Sequence, residues 1–138
     1  MDIERILDKI DEMDAYISEL SEYVPDDEES YHDNKMQKRA CERAFQLSCE
    51  TLLDICNLII AGKSFGLPKN SKDSMEKLAE HGIISKNLAI RLSEMVGFRN
   101  LLVHKYGTID DSMAFNYLSC ELKDFYEFLE AVEAFTKK

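Results

Sequence analysis

The sequence predicts an all-α fold, a bundle of four to five helices. Three observations predict it. The 138 residues hold two prolines. Pro25 and Pro68 both fall between periodic apolar segments, where they break no helix. Apolar residues recur at steps of three and four over long stretches, the spacing of a helix face. No segment shows the sustained alternation, bounded by turn residues, of a half-buried strand.

The first helix is expected over roughly 2–23, with the stripe Ile3, Ile6, Leu7, Ile10, Met13, Ile17, Leu20 and Val24. Pro25 stops it, and Asp26-Asp27-Glu28-Glu29 reads as an acidic, solvated loop. The second runs from about Asp33 or Asn34 to Ala61, with Gly62 as its stop. It buries Cys41, Phe45, Ser48, Cys49, Leu52, Ile55, Cys56 and Ile59, and its first half carries Lys35, Lys38, Arg39 and Arg43. A loop follows to Asn70. The third helix is short, with Ser71 as N-cap and Gly82 as stop. Ser85 caps the fourth, which runs to Lys105 or Tyr106 and ends at Gly107. The fifth starts near Asp110 or Asp111 and runs almost to the C-terminus, with Phe115, Leu118, Leu122, Phe125, Leu129 and Val132 forming a coiled-coil-like seam. Long amphipathic helices with short links form a bundle.

The length fits one domain over residues 1–138. Hydrophobic residues make up 45% and charged residues 32%, the balance of a soluble globular chain. No apolar run approaches the ~20 residues of a membrane span. The N-terminus lacks the basic start and apolar stretch of a signal peptide, so a cytoplasmic location without a membrane is expected. The formal net charge of −10 opposes strong nonspecific binding of nucleic acid and suits a basic partner. Cys41, Cys49, Cys56 and Cys120 include no Cys-x-x-Cys pair, so no metal site is expected. The first three share one helix face and read as core thiols. His32 and His81 sit at helix boundaries and read as solvated.

The fourth helix differs from the others. Leu88, Leu92, Met95, Leu102 and Val103 form its main stripe, but Ile90, Val96, Phe98 and Leu101 make it apolar nearly all round. Such a helix is buried on more than one side, and the second side is expected to be a partner subunit, giving a homodimer. Arg99 falls in the middle of the main stripe. A guanidinium there must be paired, with Asp54 or Glu50 as candidate carboxylates, or must line a site, because its desolvation is otherwise too costly. Five residues on is His104, the side chain best able to exchange protons near neutral pH.

Arg99, four residues, His104, one residue, Tyr106 is the motif pattern of HEPN-domain proteins. The run Gly97-Phe98-Arg99-Asn100-Leu101-Leu102-Val103-His104 resembles the HepT branch nearly residue for residue. The segments Leu78–Ile84 and Arg39–Asp54, with Ser85 and Leu92, are similar as well. The resemblance implies a HEPN-type bundle, commonly dimeric, and metal-independent RNA cleavage by the toxin of a toxin–antitoxin pair. It implies an MntA-like minimal nucleotidyltransferase as antitoxin and Tyr106 as the AMP acceptor that silences the toxin. Lys105 falls where the family varies. No cofactor is implied.

Metal-independent cleavage uses the RNA 2′-hydroxyl as nucleophile. It needs a base, an acid for the leaving oxygen, and positive charge on the phosphate. His104 can take the first or the second role, and Arg99 can hold the phosphate through its fork of donors. Asn100, four residues before His104, can orient the imidazole or a phosphate oxygen. Five residues at ~100° each set Arg99 and His104 about 140° apart around a straight helix. Either Arg99 reaches sideways and the helix loosens at its end, or two copies of the motif meet across a dimer. Lys35, Lys38, Arg39, Arg43 and Lys105 are weaker candidates for RNA contact. The alternative reading is a non-catalytic helical module that binds a nucleotide or the partner transferase.

Overall fold

The computed structural model describes residues 1–104 and 111–138, without the side chains of Val103, His104 and Cys120. Lys105 and Tyr106 lie outside the described residues. The helices are α1 (Ile3–Tyr23), α2 (Glu28–Asp33), α3 (Lys35–Gly62), α4 (Ser71–Glu80), α5 (Lys86–His104), α6 (Asp111–Cys120) and α7 (Leu122–Thr136). No strand occurs among the described residues. The all-α expectation holds, with two more helices than the sequence suggested.

The first addition is α2, inside the acidic stretch read as loop. Asp27 caps it by accepting from the Ser30 amide at 2.7 Å, and Glu28 and Glu29 sit in its first turn, where carboxylates complement the helix dipole. Tyr31 then buries its whole ring. The second comes from a break in the predicted fifth helix at Glu121, between α6 and α7. Just before the break, the Ser119 hydroxyl donates to the Phe115 carbonyl at 2.6 Å, a back-bond that bends helices.

Four long elements close a ring. α3 packs on α1 and α5, and α7 packs on α5 and α1. α1 and α3 run antiparallel, since Lys9 meets Asp54 near one end and Gln37 donates to the Tyr23 carbonyl at the other. α4 lies against α3 and α5, and α2 against α3 and α6. One core cluster joins Ile6, Met13, Ile17, Phe45, Leu52, Ile59, Leu92, Phe125 and Phe128. Cys41, Cys49 and Cys56 are free thiols inside it. Burial pushes Cys41 up to about 11 and Cys56 up to about 12. α3 alone among the described residues has the length and apolar composition of a membrane span. Its Cys49, Leu52, Ile55, Cys56 and Ile59 are wholly covered by this core.

Several helix ends follow the sequence closely, and others shift. Ser85 caps α5 by accepting from the Leu88 amide at 3.0 Å. Gly82, at φ 74°, closes α4 with the Ile83 amide on the Leu78 carbonyl, the Schellman pattern. The α4 cap is Asn70 rather than Ser71. Gly62 is the last residue of α3 and not its stop; the left-handed residue is Ser64, at φ 56°.

Candidate active site

α5 carries the motif, and its aromatic neighbours fix it. Phe98 is 3% exposed. It meets Phe45 of α3 edge-on at 5.5 Å and stacks on Tyr117 of α6 at 4.6 Å. Val96 is buried too. These two residues, expected to face a partner, fill the chain's own core instead; Phe98 lies between Phe45 of α3 and Tyr117 of α6. Ile90 and Leu101 stay exposed, at 61% and 38%. They are eleven residues apart, hence nearly in line on the helix.

Leu88, Leu92, Met95 and Leu102 are buried as the stripe requires. Between them the Arg99 side chain is 18% exposed. Its Nη1 lies 3.9 Å from Glu50 Oε1, close enough for Coulomb attraction and too long for a hydrogen bond. Its Nε is buried with no acceptor among the described residues. Of the two carboxylates foreseen for Arg99, Glu50 is the one present. Asp54 pairs with Lys9 at 3.4 Å. Gln46, one turn before Glu50, donates to Glu50 Oε1 at 3.2 Å. Gln46 does not stand out in the sequence; its one signal is the four-residue spacing to Glu50. Cys49 also neighbours Arg99, whose charge favours its thiolate, but burial prevails and pushes the thiol far up. Cys49 is therefore no nucleophile at neutral pH.

Asn100 is exposed on the next step of α5. α5 continues as helix to His104, so the ~140° register separation from Arg99 holds along the backbone.

The basic candidates on α3 separate. Lys38 Nζ sits 2.6 Å from Asp111 Oδ1 at the start of α6 and 5.9 Å from the Tyr31 ring centroid. His32 reaches the other oxygen of Asp111 at 2.5 Å, its side chain 67% exposed as expected. Burial works against the Asp111 charge, yet the hydrogen bonds from Lys38 and His32 hold its carboxyl below the usual range. Arg39 pairs with Glu42 at 3.1 Å. Lys35 and Arg43 are exposed. Arg43 lies one turn before Gln46 and two before Glu50, on one face of α3. His81 is exposed at its helix boundary, as expected; its ring stacks on Phe65 at 3.6 Å, and its Nδ1 lies 2.9 Å from the Lys77 carbonyl.

The closed helical ring that carries Arg99 on α5 has the fold of HEPN-type bundles. The family model described as ribonuclease HepT-like matches residues 13–132, and the chain belongs to that family. It is a ribonuclease by class. The mRNA nuclease HepT of Shewanella oneidensis is 34% identical over 89 residues, 64% of this chain and 67% of that protein. A crystal structure of a toxin–antitoxin with AMP-PNP superposes with a TM-score of 0.88 at 27% identity, covering 97% of this chain and 99% of that one. A tri-AMPylated Shewanella oneidensis HEPN toxin in complex with its MNT antitoxin matches with a TM-score of 0.87 at 28% identity, covering 97% and 98%.

Proposed function

We propose that this chain is the toxin of a HepT/MntA-type toxin–antitoxin pair, acting in the cytoplasm as a single HEPN domain that cleaves RNA without a metal. One observation carries the reading. Arg99 is held in a buried stripe yet keeps an Nε with no acceptor and an Nη1 outside hydrogen-bond range of its carboxylate. A buried donor left so is costly, so the guanidinium is not fully engaged by the protein, and its side chain, 18% exposed, can still take a phosphate oxygen. Arg99 grips the scissile phosphate and stabilises its transition-state charge. His104 transfers a proton, and Asn100 assists from the exposed face. Arg43, with Lys35, Lys38, Arg39 and Lys105 in weaker roles, guides the RNA backbone.

Tyr106 is the control point. An MntA-like nucleotidyltransferase, the antitoxin, transfers AMP to it, and the added phosphate repels RNA at the site. The AMPylated toxin in the neighbouring complex supports this step. The chain works as a homodimer joined along the face of Ile90, Gly97 and Leu101. Exposed apolar side chains and a glycine on one helix face allow close helix approach. Light scattering should then give twice the chain mass, and a monomer at micromolar concentration rejects the dimer.

The test of the activity is RNA cleavage by AMP-free protein in a chelator, beside Arg99→Ala and His104→Ala. Cleavage that survives chelation and falls at least a hundredfold in both variants is expected. Nucleotide binding without RNA turnover would favour the binding-module alternative.

A further inference from the structure

The motif supplies one proton-transfer group where the reaction needs two. Two copies of the motif meeting across a dimer would supply the second. From the geometry of α3 we infer that Glu50 is the general base, so that one chain carries both groups; the inference rests on the ribonuclease reading above.

Glu50 faces the phosphate-binding group directly, with Oε1 3.9 Å from Arg99 Nη1. Oε1 is tethered by Gln46 at 3.2 Å, which sets the carboxylate's orientation. Oε2 accepts from no described residue. The side chain is 42% exposed, so RNA can reach it. A phosphate oxygen accepting from Arg99 at ~2.8 Å brings its ribose 2′-oxygen beside this carboxylate. A catalytic pair that is loose without substrate tightens when substrate binds. Asp54, the next carboxylate along the face, is engaged by Lys9 of α1.

The proton balance is complete. The 2′-hydroxyl proton passes to Glu50 Oε2 as the 2′-oxygen forms its bond to phosphorus. The bond from phosphorus to the 5′-oxygen breaks, and its electron pair stays on that oxygen. His104 gives the leaving oxygen a proton. The products are a 2′,3′-cyclic phosphate and a 5′-hydroxyl, with Glu50 protonated and His104 neutral.

The test pairs Glu50→Gln and Glu50→Asp with His104→Ala on two substrates. One is RNA; the other is uridine 3′-(4-nitrophenyl phosphate), whose leaving group departs without a proton. Matching thermal unfolding curves establish that each variant is folded. Glu50→Gln should lose about 10²–10⁴ in kcat/KM on both substrates, and lose the rising acid limb of the pH profile. Glu50→Asp should keep that limb. His104→Ala should lose activity on RNA and recover it on the nitrophenyl ester. Glu50→Gln within about threefold of wild type on RNA overturns the inference and leaves the ribonuclease reading standing. Recovery of Glu50→Gln on the ester also overturns it. A pH profile unchanged in Glu50→Gln, with only KM raised, reduces Glu50 to a holder of Arg99. If the AMP-free wild type cleaves neither substrate, the reading and the inference fall together.

Discussion

Arg91 of α5 should be worth several kcal/mol, and the reason lies in its partner. Asp124 of α7 is wholly buried, and the Arg91 Nη1 donates to its Oδ1. The same guanidinium donates to Glu127 at 3.1 and 3.3 Å, and its Nε to Asn87 Oδ1 at 2.8 Å. Asp124 Oδ2 has no hydrogen-bond partner among the described residues. Arg91→Met keeps much of the stem's packing and removes the charge. It leaves a carboxylate inside the bundle with no cation, which costs roughly 3–5 kcal/mol. The half-exposed Glu127 adds at most about 1 kcal/mol. With a urea slope of about 1–3 kcal/mol per molar for a small domain, the unfolding midpoint should fall by at least about 1 M. Urea titration followed by circular dichroism measures it. Arg91→Met/Asp124→Leu should return most of the loss, because replacing both partners by apolar groups is close to neutral. A loss under about 1 kcal/mol, the value of an exposed pair, would mean that Asp124 does not depend on Arg91 as a buried charge.

Three other perturbations follow from the same geometry. Ser64→Gly removes a side chain from a left-handed residue and should raise stability by up to about 1 kcal/mol in the same titration. Tyr31→Phe deletes a buried hydroxyl with no hydrogen-bond partner and should stabilise by about 1 kcal/mol or leave stability unchanged. Asp111 has a folded pKa below its ordinary 3.8, so its contribution is present above that value and lost as pH falls through the folded one. Asp111→Asn should therefore lower the unfolding temperature at neutral pH, by an amount that shrinks as the solution is acidified below 3.8.

Much of the bundle was legible because periodicity and punctuation agree. The stripe of α1, the cysteine face of α3 and the caps at Ser85 and Gly82 are all local signals. The rest depended on what the chain packs against. Asp26-Asp27-Glu28-Glu29 reads as solvated by charge, yet Asp27 caps a helix whose burial comes from Tyr31, two residues past the acidic run. Phe98 and Val96 read as a partner-facing surface because their place in the chain's own core, with Phe98 against Phe45 of α3 and Tyr117 of α6, rests on contacts distant in sequence. Lys38 reads as a free cation because Asp111, its counter-ion, lies over seventy residues away. At the site, Arg99 and its choice between Glu50 and Asp54 were legible from one stripe. Gln46 was not, since a glutamine on a helix is ordinary until its neighbour has a role.

If RNA is cut by its own 2′-hydroxyl, as proposed, the ends of the products record it. AMP-free protein should cleave a defined RNA in a chelator and leave a 2′,3′-cyclic phosphate and a 5′-hydroxyl. It should leave intact the same RNA with a single 2′-deoxyribose at the cut site. Fragments bearing a 5′-phosphate, or cleavage at the deoxyribose, would contradict it.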